Sequence, residues 1–390
     1  MKTVVLFNSF DYGSTGMLCS SLKEYLEKHG IHVLFICGNK KKSGNADFYL
    51  FDKISKAFRY VITKKEGLFG KLNVDLLKAS TKKVINFLRQ NIDFNNEEVI
   101  FHFHNMQYSF MSIKTLIRFA NKKKIKTILT MHDCWPITGG CNYFSLSQCN
   151  RWKCDDILCK KCSFHHRNSK SELLKKQELF KNTLIISPSK WLDSLINCSV
   201  LRNCKHIVIH NGIDTSFWNY SIDDKKSETI NLISVASPWD ERKGLKYLNE
   251  LADILPNNFH MTIVGLKNNQ EVNNKITRYG RLEKEELRSL YSKSHIFINP
   301  TLEDNFPTVN IEAQLCGLFV CSFDTGGSKE IFTEKTGSVT FDKSANSILN
   351  SINEIKISDE LYLKCRKRGL LFDLNIYCEK HLIVYNGCSD

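Results

Sequence analysis

Short β-branched apolar runs alternate with amphipathic stretches through most of the chain, and this alternation limits the fold more than any other feature. TVVLFN (3–8), IHVLFIC (31–37), EVIFHFH (98–104), KTILTMH (126–132), TLIIS (183–187) and HIVIH (206–210) read as strands. Between them lie helical patterns such as MLCSSLKEYLEKHG (17–30), closed by a glycine, and SIKTLIRFANKKK (112–124). Strand and helix in turn predict an α/β fold with a parallel sheet covered on both faces. At 211–229 the polar, turn-rich segment NGIDTSFWNYSIDDKKSET interrupts the pattern and reads as a linker.

The alternation then restarts with INLISVA (230–236), GLKYLNELADIL (244–255), HMTIVG (260–265), KEELRSLYSKS (284–294) and HIFINP (295–300). A helix over 308–316, the strand LFVCSF (318–323) and helices across 344–386 complete it. Two doubly wound domains are therefore expected, 1–210 and 230–373, with 374–390 as a terminal helix. Open sheets of this kind bind ligands at the carboxyl ends of their strands, so the two domains should share a central cleft.

No stretch of the 390 residues approaches the apolar length of a membrane span. The opening MKTVVLFNSF has too short an apolar run for a signal peptide, which points to the cytoplasm. The net charge of +14 favours an anionic partner: nucleic acid, acidic lipid or a phosphorylated metabolite. Much of the excess sits in Lys40–Lys42, Lys64–Lys65, Lys122–Lys124 and Lys160–Lys161. A solvated lysine surface or contact with a membrane both account for it. Many of the 15 cysteines sit in apolar runs, as Cys37, Cys316 and Cys321 do, and read as reduced core residues.

Four segments carry candidate chemistry. In DYGSTG (11–16), Gly13 and Gly16 either bring amides to an anion at a helix start or simply form a tight turn. Arg242-Lys243-Gly244 combines a planar fork of donors with a mobile point charge, a pair suited to a diphosphate and also ordinary on a surface. TLEDNFPTVNIEAQLCG (301–317) sets Glu303, Asp304 and Glu312 around a Pro-containing turn. Pro307 suits a first helical turn, where the amides of Val309 and Asn310 would be open to a phosphate. The acids either complement the helix dipole or hold a ribose diol and sugar hydroxyls. FHFHN (101–105) and MHDCWPITGGC (131–141) end strands in His104 and His132, beside Asp133 and Trp135. A histidine at a strand end is commonly a satisfied structural group.

The 301–317 segment resembles the paired-acid motif of the GT-B-fold retaining glycosyltransferases of group one. Asp304 and Glu312 have that motif's spacing, followed by Ala313 and Gly317, and EDNFP resembles the form found in a bacterial exopolysaccharide, colanic-acid-type subgroup. VASPWDERKG (235–244), ITRYGRLEKEELRSLYSKSHIFINP (276–300), DTGGSKEI (324–331), NGID (211–214) and SPSKWL (187–192) resemble further family segments in the same order. The resemblance implies GT-B architecture, two Rossmann-like domains facing a cleft, and a terminal helix that crosses back to the first.

It also implies a retaining, metal-independent transferase that uses a nucleoside-diphosphate sugar. In that scheme Arg242, Lys243 and the amides at Val309 and Asn310 face the diphosphate, with Gly16 nearby. Gly280 and Arg281 touch the base. Glu303 or Asp304 holds the sugar, and Glu312 the ribose. His132 lies near the transferred sugar, with His104, Asp133 and Trp135 on the acceptor side. The implied acceptor is a saccharide or lipid-linked saccharide, worked on at the inner membrane face.

Cys141, Cys149, Cys154, Cys159 and Cys162 crowd the loop 134–166, where four thiolates would make a structural zinc site and reduced packing thiols are the alternative. His165 and His166 are candidate replacement ligands. Two rivals stand beside the transferase: a basic nucleic-acid-binding protein with a zinc-braced loop, and an epimerase or phosphorylase on the same fold.

Overall fold

Strand β1, Lys2–Phe10, sends Val5 and Phe7 into one buried cluster and Val4 and Leu6 into another. Side chains on a sheet covered on both faces must divide in this way. The computed structural model describes residues 1–40, 44–51, 67–106, 111–145 and 169–387. Around β1 stand β2 (His32–Asn39), β3 (Phe48–Phe51), β4 (Glu98–Phe103), β5 (Lys126–Thr130), β6 (Thr183–Ser187) and β7 (His206–Val208). They form a seven-stranded sheet in the order β3-β2-β1-β4-β5-β6-β7, parallel throughout.

The second sheet comprises β8 (Ile230–Val235), β9 (Phe259–Val264), β10 (Ile276–Tyr279), β11 (Ile296–Asn299), β12 (Phe319–Phe323) and β13 (Gly337–Thr340). Its order is β10-β9-β8-β11-β12-β13, again all parallel. Its faces divide likewise: Leu232, Ile263 and Ile298 bury on one side, Ile233, Val264 and Phe297 on the other. Each sheet reverses its order beside its first strand, between β1 and β4 and between β8 and β11. Loops leaving those points open crevices for ligands.

The structure adds three strands that the apolar runs did not mark, β3, β10 and β13, each four residues long. It also adds the long helix Gly67–Asn91. All three strands are sheet edges; an edge pairs on one side only and needs little continuous apolar sequence. Cys37, Cys316 and Cys321 are buried thiols in no disulfide. Among the described residues no helix is long and apolar enough to cross a membrane. Of the lysine runs, Lys41, Lys42, Lys64, Lys65, Lys160 and Lys161 lie outside the described residues.

The chain passes between the domains twice, at adjoining points. Ile213 forms a parallel bridge with Asp373: its amide donates to the Phe372 carbonyl and its carbonyl accepts from Leu374, both at 3.0 Å. Beyond this point the helix Leu374–Tyr385 packs Tyr377, Cys378, Val384 and Tyr385 into the cluster that holds Val4, Leu6 and Leu22. Lys2 Nζ donates to the Tyr385 carbonyl at 2.9 Å.

Candidate active site

The acid loop is fastened to the basic pair at the carboxyl ends of β8 and β11. The Arg242 carbonyl accepts from the Leu302 amide at 2.6 Å and from Thr301 Oγ1 at 3.2 Å. This brings Lys243 Nζ to 2.7 Å from Asp304 Oδ2, with both side chains about one-fifth exposed. Asp240 Oδ2 accepts from Arg242 Nε and Nη2, at 3.2 and 2.8 Å. The guanidinium of Arg242 lies 4.0 Å from the ring centre of Tyr143 in the first domain, a cation–π contact that presents the cation across the cleft.

Glu303 and Asn305, on either side of Asp304, tie the loop to the first domain. Glu303 is buried, and its Oε1 accepts from the amides of Phe144, at 2.6 Å, and Ser145. That carboxylate is therefore committed to a loop of the first domain rather than open to sugar hydroxyls, and Asp304 is the acid beside the lysine. Asn305 Nδ2 donates to the His132 carbonyl at 2.9 Å, while its Oδ1 faces the Cys134 thiol at 3.7 Å. Gly326 lets the 324–330 loop lie against this turn. Its φ is +55°, and a Cβ there would meet the Asp304 carbonyl oxygen at 1.6 Å.

The helix Thr308–Leu315 starts after Pro307, which caps it without a side-chain hydrogen bond. The Asn310 amide donates to the Pro307 carbonyl at 3.0 Å. It is thus used inside the turn, which corrects the expectation of an open amide there. Val309 is half-buried at the second helical position, where an α-helix makes no intrahelical use of its amide. Asn310 instead contributes its side chain, accepting from Asn299 Nδ2 at 2.7 Å. Glu312, half-buried one turn in, has its carboxyl pushed up to about 8 by burial, against the opposing pull of Lys284 and Tyr291.

Across the cleft, His104 Nδ1 and His132 Nε2 are 3.0 Å apart. Burial, with His381 adding to it, pushes His132 down to about 4, so the ring is neutral at neutral pH. Asp133 accepts from the Trp135 amide at 2.8 Å, and burial pushes it up to about 6 against Trp135 and Lys176. Lys176 is buried over the Trp135 ring at 4.0 Å and donates to the Thr138 carbonyl at 2.8 Å.

Gly16 is buried near the start of the helix Gly13–Lys28, where a Cβ would meet the Asp11 carbonyl carbon at 2.4 Å. The close approach of the turn accounts for it. Gly280 and Arg281 are exposed on the rim beside β9, where the Gly265 amide reaches the Gly280 carbonyl at 3.1 Å. Cys141 is half-buried; Cys149, Cys154, Cys159, Cys162, His165 and His166 lie outside the described residues.

Sequence reasoning missed Asp240, Tyr143, Asn305, Glu330 and His210. Glu330, in the second domain, accepts from the amides of Lys190 and Trp191, both at 2.8 Å, and pairs with His210 Nε2 at 3.1 Å. Those amides open the first-domain helix Lys190–Asn197, so the carboxylate complements the helix dipole from across the cleft. Burial opposes its ionisation, but His210 and the two amides prevail and hold it below the usual range. Glu330→Ala is expected to destabilise the protein by about 2 to 3 kcal/mol in urea unfolding, since charged hydrogen bonds are lost. An unchanged midpoint would show that solvent replaces the contact.

Residues 217–371 match the family model for glycosyl transferases group 1. Over 319 residues the chain is 21% identical to the putative colanic acid biosynthesis glycosyl transferase WcaC of Escherichia coli K12, covering 76% of each. It is 27% identical over 140 residues to one component of the human phosphatidylinositol N-acetylglucosaminyltransferase, covering 33% of this chain and 28% of that one. Sucrose-phosphate synthase from Thermosynechococcus elongatus shares the fold with a TM-score of 0.69 at 15% identity, covering 99% of both chains. Anabaena HepE in complex with UDP does so with a TM-score of 0.67 at 14% identity, covering 99% of this chain and 100% of that one. Two parallel sheets meeting at a cleft give the chain the GT-B fold, and its second domain matches the glycosyl transferases of group 1.

Proposed function

We propose that the enzyme moves a hexose from a nucleoside-diphosphate sugar, UDP before GDP, to a saccharide or lipid-linked saccharide in bacterial surface polysaccharide synthesis. The reaction retains anomeric configuration, uses no catalytic metal and takes place in the cytoplasm at the inner membrane face. The observation that carries this reading is the pairing of Lys243 with Asp304 beside Arg242, facing His132 across the cleft. The putative assignment of WcaC to colanic acid biosynthesis and the HepE complexes with UDP and UDP-glucose support the choice of acceptor and donor.

In this scheme the bond from the sugar's anomeric carbon to the diphosphate breaks. The acceptor hydroxyl attacks the same face, and its proton passes to the departing phosphate oxygen. Negative charge growing on that phosphate is met by Lys243, Arg242 and the amide of Val309. Asp304, exchanging its lysine for the substrate, accepts from sugar hydroxyls, and Glu312 accepts from the ribose.

Thermal unfolding with UDP, GDP, ADP, CMP or short single-stranded DNA tests the reading. A nucleotide at 100 times its Kd adds about 2.7 kcal/mol of stability. One nucleoside diphosphate should stabilise the wild type and not Glu312→Ala. Stabilisation by DNA alone would favour the nucleic-acid rival, and a nucleotide shift without a glycosidic product would favour the epimerase.

A further inference from the structure

Four imidazoles stack where β4, β5 and the terminal helix meet. His381 lies over His102 with ring centres 5.6 Å apart, His102 over His104 at 4.2 Å, and His104 over His132 at 5.3 Å. His102 uses both nitrogens, Nδ1 with the Tyr385 hydroxyl at 2.5 Å and Nε2 with Thr130 Oγ1 at 2.7 Å. His104 differs. It is 3% exposed, its Nδ1 meets His132 Nε2, and its Nε2 is buried without a hydrogen-bond partner among the described residues.

Burial and the neighbouring rings hold His102 and His104 well below the ordinary imidazole range, and His132 is lowered as well. Each ring is therefore neutral at neutral pH and carries one N–H. The Nδ1–Nε2 contact uses one proton, which belongs to one of the two residues. Were it His132's, the proton of His104 would sit on Nε2 as a buried N–H with no acceptor. Orphaned buried N–H groups are rarer than under-used acceptors. The lone pair is therefore the form left bare at His104 Nε2, and its proton is on Nδ1.

We infer that His104 is a positioning residue: by donating from Nδ1 to His132 Nε2 it fixes His132 as the Nδ1–H tautomer, whose N–H then serves as a donor to an oxygen of the bound sugar. The role of that N–H rests on the transferase reading above; the tautomer does not. Asn305, bonded to the carbonyl of the same residue, holds the backbone from which the ring projects. His132 thus acts as a neutral donor with a preset direction.

Nitrogen-15 NMR of histidine-labelled, ligand-free protein tests this in the wild type, His104→Asn and His104→Leu. The Asn amide N–H stands close to the ring Nδ1–H, whereas Leu keeps bulk without a donor. His132 should be Nδ1–H in the wild type and His104→Asn, and move toward Nε2–H in His104→Leu. Loss of one oriented hydrogen bond should lower kcat about tenfold in the Leu variant and within threefold in the Asn variant, with donor KM little changed. An Nε2–H wild-type His132 overturns the inference, as does an unchanged tautomer in His104→Leu. If the Leu variant does not fold, the wild-type signal still decides. Tautomers as inferred in a protein that transfers no sugar would remove the transferase reading and leave the tautomer assignment standing.

Discussion

Lys243→Ala is expected to lower kcat by two to three orders of magnitude, roughly the effect of removing one oriented donor from a developing anion. Its ammonium is held at 2.7 Å by Asp304, so the cation waits in the cleft already partly desolvated. Arg242 cannot replace it, because Asp240 and the Tyr143 ring fix the guanidinium where it stands. Asp304→Asn should lower kcat too, by leaving the lysine without its counter-ion and the sugar without an acceptor. The double variant should lose less than the product of the two single losses, since contacting residues are not additive. Steady-state kinetics of the three variants would settle it. A tenfold loss or less for Lys243→Ala would show that the lysine does not face the leaving group.

Glu312→Gln should abolish the pH dependence of stability that this carboxyl imposes. The wild-type carboxyl is raised from 4.5 to about 8 by burial, so the folded protein keeps a proton that the unfolded chain releases above its ordinary value. Stability therefore falls with rising pH through that window, by up to about 1.4 kcal/mol per unit, and the loss is complete above pH 8. Gln carries no charge at any pH. The variant should match the wild type near pH 5 and exceed it near pH 9 in urea unfolding. A variant less stable than the wild type at pH 9 would show that the ionised carboxyl has a partner in solution, with Lys284 and Tyr291 the candidates.

The interior of the fold was legible because interior strands are buried on both faces and must be written in continuous apolar residues. TLIIS coincides with β6, Thr183–Ser187, and IHVLFIC overlaps β2 closely. The edges were not. ITRY and GSVT span four residues, two alternations at most, and their partners lie on one side only. The helix Gly67–Asn91 went unread for another reason: glycines interrupt its first turns, and its apolar spacing competes with lysines.

At the site, residue types were legible and their partners were not. Glycine spacing and paired acids mark a ligand turn, but nothing local joins Lys243 to Asp304, 61 residues on. Glu303 and Asp304 are neighbours of the same charge, and only the fold tells them apart. One meets the amides of Phe144 and Ser145, the other an ammonium. Asn305 and Glu330 went unnoticed because their partners are main-chain groups, and every residue has those.

The terminal helix also sets an order of events during synthesis. Tyr377, Cys378, Val384 and Tyr385 complete a core begun by Val4 and Leu6, so of these two domains the one made earlier is the later to close. Until then the face of its sheet against which that helix packs stays open to water and to chaperones, while the second domain, contiguous in the chain, can already fold. A premature stop within Leu374–Tyr385 would therefore injure the sheet built around β1 rather than the one built around β8.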